Sequence, residues 1–148
     1  MTDLADFAAL ARREQGLCVV STLRADGTIQ SSVVNAGVLD HPVTGAPVVA
    51  FTTRGSAIKL ANLRERPRGV TIVARAGWGW AAAQGAAEIA GPDDRLPGFD
   101  SAAVPGLLRD VFAAAGGTHD DWLTYDRVMA EERRAAILIT PERVYSNG

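Results

Sequence analysis

The single lysine of this chain lies at a position where a cation is unfavourable. Beside 14 arginines the sequence has one lysine, Lys59. Residues 48–53 are apolar and β-branched, as in a strand, and Ser56 can cap a short helix that ends before the next proline. Lys59 would then lie near the third position of the helix, with Arg54 just before the cap. Because a helix N-terminus carries about half a positive charge, it disfavours cations.

An anion would resolve this conflict. The hydroxyls of Thr52 and Thr53 and the free amides of the helix would converge with Lys59 and Arg54 on one point. This combination predicts an anion site, most naturally for a phosphate. The alternative is that both cations point into water, at a cost of about 0.3–1 kcal/mol each. The local pattern leaves both interpretations open.

Length and composition restrict the class of protein. A chain of 148 residues predicts one domain, residues 1–148, with a substantial core. The net charge of −2 and pI near 5.6 argue against nucleic acid as the main partner. The acidic N-terminus does not resemble a signal peptide, and no apolar run is long enough to span a membrane. A single cysteine, Cys18, fits a reducing cytoplasm, which is the predicted localisation.

Hydrophobic periodicity predicts an α+β fold with a mainly antiparallel sheet, arranged as a small barrel. The predicted strands are 17–23, 28–39, 48–53, 69–75, 78–89 and 135–145, the last interrupted at Pro141. The predicted helices are 4–15, one between Ser56 and Pro67, 104–115, and 120–134 with Thr118 as its cap. Two glycines lie within strands: Gly37 indicates a bulge, and Gly85 indicates either a bulge or close backbone approach.

The remaining reactive residue types do not form a complete catalytic set. His41 and His119 have no zinc-site spacing, so surface or capping roles are favoured over metal or base roles. Cys18, within a strand, is expected to be a small core residue. Trp122, Tyr125 and Met129 follow helical spacing and indicate a packing stripe. The sequence therefore favours a binding protein, or an enzyme whose cofactor supplies the chemistry.

Four segments in order carry a family resemblance: 21–28, 31–34, 51–67 and 85–88. Together they resemble the pyridoxamine 5′-phosphate oxidase-like split β-barrel family. Within that family they are most similar to the actinobacterial oxidoreductases that use the deazaflavin coenzyme F420. The pattern Thr-Thr-x-x-Ser-x-x-Lys-x-x-Asn-Leu is the most specific part. The resemblance covers most of residues 4–91 and implies a homodimer of split barrels with two cofactor sites at the interface.

The resemblance also implies roles for individual residues. Four residues of the second strand would line the cofactor ring: Ser32, Val33, Val34 and Asn35. The phosphate and the start of the cofactor tail would be held by Thr52, Thr53, Ile58 and Lys59, with Arg54 and Ser56 as additions from the same segment. Trp80 would approach the cofactor from the other subunit. The resemblance says little about residues 92–134, which are longer and more helical than the family minimum; we expect this insertion before the last strand to cap or border the substrate pocket.

The sequence departs from the family at two points. Ile58 replaces the arginine that precedes the lysine in the FMN-binding oxidases, and the C-terminal tryptophan and arginine of the true pyridoxamine phosphate oxidases have no counterpart. The resemblance therefore predicts an F420-dependent oxidoreductase that acts on a small unsaturated or conjugated substrate. One alternative is an FMN-dependent enzyme of the same fold. Another is a non-catalytic carrier of a flavin, deazaflavin or tetrapyrrole.

Overall fold

The computed structural model describes residues 2–148 and shows a six-stranded antiparallel β-barrel with four α-helices, which confirms the predicted α+β split-barrel class. The strands are β1 (Leu17–Leu23), β2 (Ile29–Asp40), β3 (Pro47–Thr53), β4 (Val70–Ala76), β5 (Gly79–Ala90) and β6 (Ala135–Ser146). The helices are α1 (Leu4–Arg13), α2 (Ile58–Glu65), α3 (Val104–Ala114) and α4 (Trp122–Glu131), and a 3-10 turn at Ser101–Ala103 precedes α3.

The barrel wall separates between β2 and β3. The strands close in the order β1-β2-β3-β6-β5-β4. The ladder between β2 and β3 ends at the pair Ala36 and Phe51, although β2 continues along β1 as far as Ile29 and β3 continues along β6 to Thr53. Beyond that point the two strands no longer pair with each other, so their facing backbone edges are available to another group.

The barrel interior is filled by alternating side chains of the strands and covered by two helices. Phe7 of α1 and Leu60 and Leu63 of α2 belong to the same buried cluster as Val20 and Cys18 of β1. Burial raises the pKa of the Cys18 thiol to about 12. The predicted core role of Cys18 is therefore confirmed.

A second core lies outside the barrel, where α3 and α4 cover β3 and β6. Val48 and Leu138 contact this cluster from the strands, and Leu108 and Val111 contact it from α3. The end of α3 comes so close to β2 that a Cβ on Gly37 would lie 2.2 Å from the carbonyl oxygen of Ala114. Gly37 therefore permits close packing of a helix, and the predicted bulge at this residue is wrong because the β2–β3 register runs through it unbroken.

Gly85 lies opposite a bulge and in close backbone contact, as predicted. The β5–β6 register shifts between Gln84 and Gly85, opposite Pro141. A Cβ on Gly85 would lie 1.9 Å from the carbonyl oxygen of Thr140. The extra residue is Glu142 of β6, so β6 runs past the proline as one continuous strand and the predicted interruption is replaced by a bulge in β6 itself.

Two further predictions at element ends are corrected. The last helix begins at Trp122, because the Asp121 carboxylate accepts the Thr124 amide at 3.1 Å and caps it; Thr118 does not cap this helix. Aspartate is a stronger cap than threonine. Trp78, the first residue of the predicted strand 78–89, lies in the turn before β5 and is 94% exposed, so the strand begins at Gly79.

Candidate functional site

A cleft of about 440 Å³ opens where β2 and β3 separate. Binding pockets for small molecules typically measure about 300–1,000 Å³. One side of the cleft is formed by the two strands and the start of α2, and the other by α3, α4 and Arg134. Eight of the residues predicted from the sequence line it: Val33, Val34, Asn35, Thr52, Thr53, Arg54, Ser56 and Lys59.

Three predicted residues lie outside this lining. Ser32 is adjacent to it on β2, and its Oγ is buried with no hydrogen-bond partner within residues 2–148. Ile58 is 62% exposed on the first turn of α2. Trp80 lies on β5 with its ring edge-on to Tyr145, at a centroid distance of 6.0 Å. Within one chain, Trp80 therefore does not contribute to the cleft.

The start of α2 is an uncapped helix N-terminus. The helix begins at Ile58, and its N-cap is Ala57, which makes no side-chain cap hydrogen bond. The prediction that Ser56 caps this helix is therefore wrong by one residue. Lys59 is the second residue of α2, and the first turn contains no acidic residue. The amides at this terminus consequently keep their partial positive charge, which favours an anion.

Lys59 has no carboxylate partner among the ion pairs formed within residues 2–148. Its pKa is lowered first by burial and second by the nearby positive charge of Arg134. Both effects disfavour the ammonium form, and a bound anion would counter both. The geometry therefore strengthens the anion-site interpretation over that of a lysine directed freely into water.

Arg134 is a cleft residue that the sequence did not reveal. Its Nη1 lies 3.5 Å from the Thr52 Oγ1, and its Nε donates to the Glu132 Oε1 at 2.9 Å. The other carboxylate oxygen of Glu132 lies 3.4 Å from an Arg54 nitrogen. Three cations, Arg54, Lys59 and Arg134, therefore surround the polar half of the cleft.

A close backbone contact brings Arg134 to the site. The Gly55 amide donates to the Glu132 carbonyl oxygen at 3.0 Å. A Cβ at Gly55 would lie 2.9 Å from the Arg133 carbonyl oxygen, so any larger residue would push the two segments apart. Arg133 itself pairs with Asp93 on the far side. Gly55 was the one signal of this contact in the sequence, but a glycine alone does not indicate which segment will pack against it.

The other half of the cleft is apolar and aromatic. Val111 and Phe112 of α3 and Tyr125 and Met129 of α4 line it together. The rings of Phe112 and Tyr125 have centroids 5.1 Å apart, and the Tyr125 hydroxyl donates to the Leu108 carbonyl oxygen at 3.1 Å. That hydroxyl is therefore already hydrogen-bonded. The predicted packing stripe on α4 is confirmed, because its members belong to the second core, and the same stripe forms one wall of the cleft.

Both histidines act as capping groups, as predicted. The His41 Nδ1 accepts the amides of Val43 and Thr44 at 3.1 and 3.2 Å, while its Nε2 lies 3.0 Å from the Glu88 carboxylate. The His119 Nδ1 accepts an amide of the next turn. Within residues 2–148 no three His, Cys, Asp or Glu side chains are grouped to hold a metal ion, and no helix is long and apolar enough to cross a membrane.

The donor set fits a ligand with a phosphate and a flat ring that forms hydrogen bonds. Lys59 and the uncapped amides of α2 suit the phosphate. The unpaired β2 edge can bond a polar ring, and Phe112 provides an apolar face. The residues that line the cleft are therefore chemically suited to such a ligand.

Comparison with known proteins supports the fold. No family model matches the chain. An F420 reductase structure aligns with a TM-score of 0.62 and 17% identity, over 94% of this chain and 95% of the other. A pyridoxamine 5′-phosphate oxidase-related, FMN-binding protein from Nostoc punctiforme aligns with a TM-score of 0.63 and 11% identity, over 96% and 82% of the two chains.

A heme-binding protein from Mycobacterium smegmatis is also similar. It aligns with a TM-score of 0.61 and 20% identity over 100% of this chain, which spans 55% of that protein. At such identities the likeness shows the fold alone. The chain therefore has the split β-barrel fold of the pyridoxamine 5′-phosphate oxidase-like proteins, as its sequence motifs predicted.

Proposed function

We propose that this protein is an oxidoreductase that holds coenzyme F420 in the cleft between β2 and β3 and reduces or oxidises a small unsaturated or conjugated substrate. The observation that carries the proposal is the position of Lys59. It is a half-buried cation without a carboxylate partner within the described chain, and it lies at an uncapped helix N-terminus beside Arg134. This arrangement supports a phosphate site at the edge of an aromatic pocket.

The proposal assigns a role to each part of the cleft. Lys59, Thr52 and the first amides of α2 hold the phosphate, and Arg54 and Arg134 lie at the rim, where tail carboxylates would pass. Residues 32–35 present their backbone edge to the ring. The bound deazaflavin supplies the hydride chemistry. The protein binds and orients the cofactor and the substrate and keeps water out of the cleft. It does not supply a side-chain nucleophile, since the cleft contains no complete set of acid, base and nucleophile.

The charge of the site favours F420 over FMN. F420 presents a phosphodiester with a single negative charge, whereas FMN presents a monoester with nearly two charges at neutral pH. Ile58 stands where FMN-binding relatives of this fold place an arginine, so one contact to a doubly charged phosphate is missing. FMN remains the alternative cofactor, because backbone amides could replace that contact.

A homodimer is part of the proposal. The outward side chains of β1 and β2 form an exposed apolar face, made of Leu17, Val19, Leu23, Ile29 and Val33. Val33 is 64% exposed and also lines the cleft, so the face and the cleft meet at this residue. A second copy covering the face would wall the cleft, and its Trp80 would approach the cofactor from that side.

A heme carrier of the same fold is less well supported. Heme iron usually takes a histidine, cysteine, methionine or tyrosine ligand. Neither histidine lines the cleft, and the Tyr125 hydroxyl already donates to a backbone carbonyl. Met129 is the one remaining candidate among the lining residues.

Titration with F420, FMN and hemin, followed by fluorescence and absorbance, tests the proposal. We expect F420 to bind at least about tenfold tighter than FMN at physiological ionic strength. Equal or reversed affinities would favour the FMN enzyme. Tight cofactor binding without turnover across a broad panel of unsaturated substrates would favour the carrier.

A further inference from the structure

Glu132 lies at the mouth of the cleft and is shared by two arginines. Its Oε2 is 3.4 Å from the Arg54 guanidinium, and its Oε1 accepts from the Arg134 Nε at 2.9 Å. The side chain is 28% exposed, so water screens these pairs only in part. The hydrogen bond from Arg134 and the charges of both arginines hold the Glu132 pKa below its usual range, so the carboxylate stays ionised at neutral pH.

The backbone holds this carboxylate in place. Glu132 accepts the Gly55 amide through its carbonyl oxygen, and Gly55 follows Arg54 directly. The same close contact, which only glycine permits, therefore fixes Arg54 and Glu132 relative to each other. The ion pair is part of the architecture of the cleft.

The three cations of the cleft are thus not equivalent toward a ligand. Glu132 already engages the guanidinium groups of Arg54 and Arg134, whereas Lys59 has no carboxylate partner among residues 2–148. Three positive charges and one negative charge leave a net charge of about +2. An incoming anion meets one free ammonium, two shared guanidiniums and a fixed negative charge that repels it.

We propose that Glu132 is a specificity-determining residue, a resident counter-anion that lowers the advantage of a doubly charged phosphomonoester over a singly charged phosphodiester in the cleft. The repulsion between the Glu132 carboxylate and a ligand doubles when the charge of the ligand doubles. In addition, Arg54 and Arg134 already pair with Glu132, so they are less available to the second charge of a phosphomonoester. The identity of the natural ligand rests on the proposed function, but the charge preference does not.

The isosteric variant Glu132→Gln tests this inference. We expect it to bind dimethyl phosphate, which carries one charge, about threefold tighter than the parent and methyl phosphate, which carries nearly two, about tenfold tighter, since the logarithm of the gain follows ligand charge. Glu132→Asp keeps the charge and should keep the preference of the parent. Glu131→Gln is the matched control, because Glu131 is 67% exposed and pairs with Arg127 outside the cleft.

The two phosphate probes also separate this inference from the proposed function. Dimethyl phosphate carries one charge and methyl phosphate nearly two at pH 8, and neither contains a flavin. If Glu132→Gln shifts the relative affinity toward methyl phosphate, the counter-anion role holds even where the parent binds neither cofactor. If the ratio of the two affinities is the same in Glu132→Gln, Glu131→Gln and the parent, the inference is wrong.

Discussion

Lys59 is the residue on which the anion site depends. A charge-assisted contact to a phosphate contributes roughly 1.5–3 kcal/mol, or about ten- to a hundredfold in affinity. We therefore expect Lys59→Ala to weaken cofactor binding by that factor in a fluorescence titration, with an unchanged thermal transition. Lys59→Glu should bind still more weakly, because it adds repulsion. If both variants bind like the parent, the site does not hold the phosphate.

The same contact predicts how binding depends on pH. Burial and Arg134 lower the pKa of Lys59 in the free protein, and a bound anion raises it again. Binding therefore takes up a proton between these two pKa values, and affinity falls as the pH rises through that window. Lys59→Arg should bind at neutral pH and lack the alkaline fall of the parent, since a guanidinium stays protonated. An identical fall in both proteins would assign it to the ligand or to another group.

At the scale of elements, the width of the cleft depends on how closely α3 approaches β2. Gly37→Ala would place a methyl group 2.2 Å from the Ala114 carbonyl oxygen, so the helix must move outward. We expect a loss of about 1–3 kcal/mol in unfolding free energy, together with weaker cofactor binding, because Phe112 and Val111 move with α3. Chemical denaturation and titration of the same sample measure both effects.

Gly106→Ala provides the control for this prediction. Gly106 lies in α3, and a Cβ there would meet no atom within 4 Å. Alanine should stabilise the helix by about 0.5–1 kcal/mol and leave cofactor binding unchanged. Equal behaviour of the two variants would show that the approach of α3 at Gly37 does not set the cleft.

The elements were largely predictable from the sequence, because their signals are local. Alternation and β-branched residues placed β1 at residues 17–23, where the structure has it, and the other strands shifted by only a residue. Contacts between distant segments were not predictable. Thr52 and Arg134 are 82 residues apart in the chain, and no local pattern indicates that Gly55 packs against the end of α4. Lys59 and Arg54 were therefore found, while Arg134 and Glu132 were not.

At the scale of the whole molecule, the exposed apolar face predicts a dimer. The barrel closes within one chain, and the outside of β1 and β2 carries five exposed apolar side chains on one face. Val19 is 43% exposed, pairs across the strands with Val33 and does not line the cleft. We expect Val19→Glu to be a monomer at micromolar concentration and to lose cofactor affinity, because the partner wall is gone. Sedimentation and titration measure the two outcomes.

Leu123→Glu is the matched control for this prediction. Leu123 is an apolar residue on α4 that is 82% exposed and lies outside the β1–β2 face. The variant should remain a dimer and bind cofactor like the parent. A monomeric parent that still binds cofactor would show that the cleft is complete in one chain.

The buried thiol of Cys18 can report how often the barrel opens. It is the single cysteine, it lies in the barrel interior, and its pKa of about 12 leaves almost no thiolate at neutral pH. A thiol reagent can therefore modify only those molecules whose barrel has opened. When the reagent is in large excess, the rate of modification equals the rate at which the barrel opens. At lower reagent concentration, the rate of modification depends on the equilibrium between the closed and the open barrel. Any ligand that holds β2 and β3 together should lower the rate of Cys18 modification, whatever reaction the ligand supports.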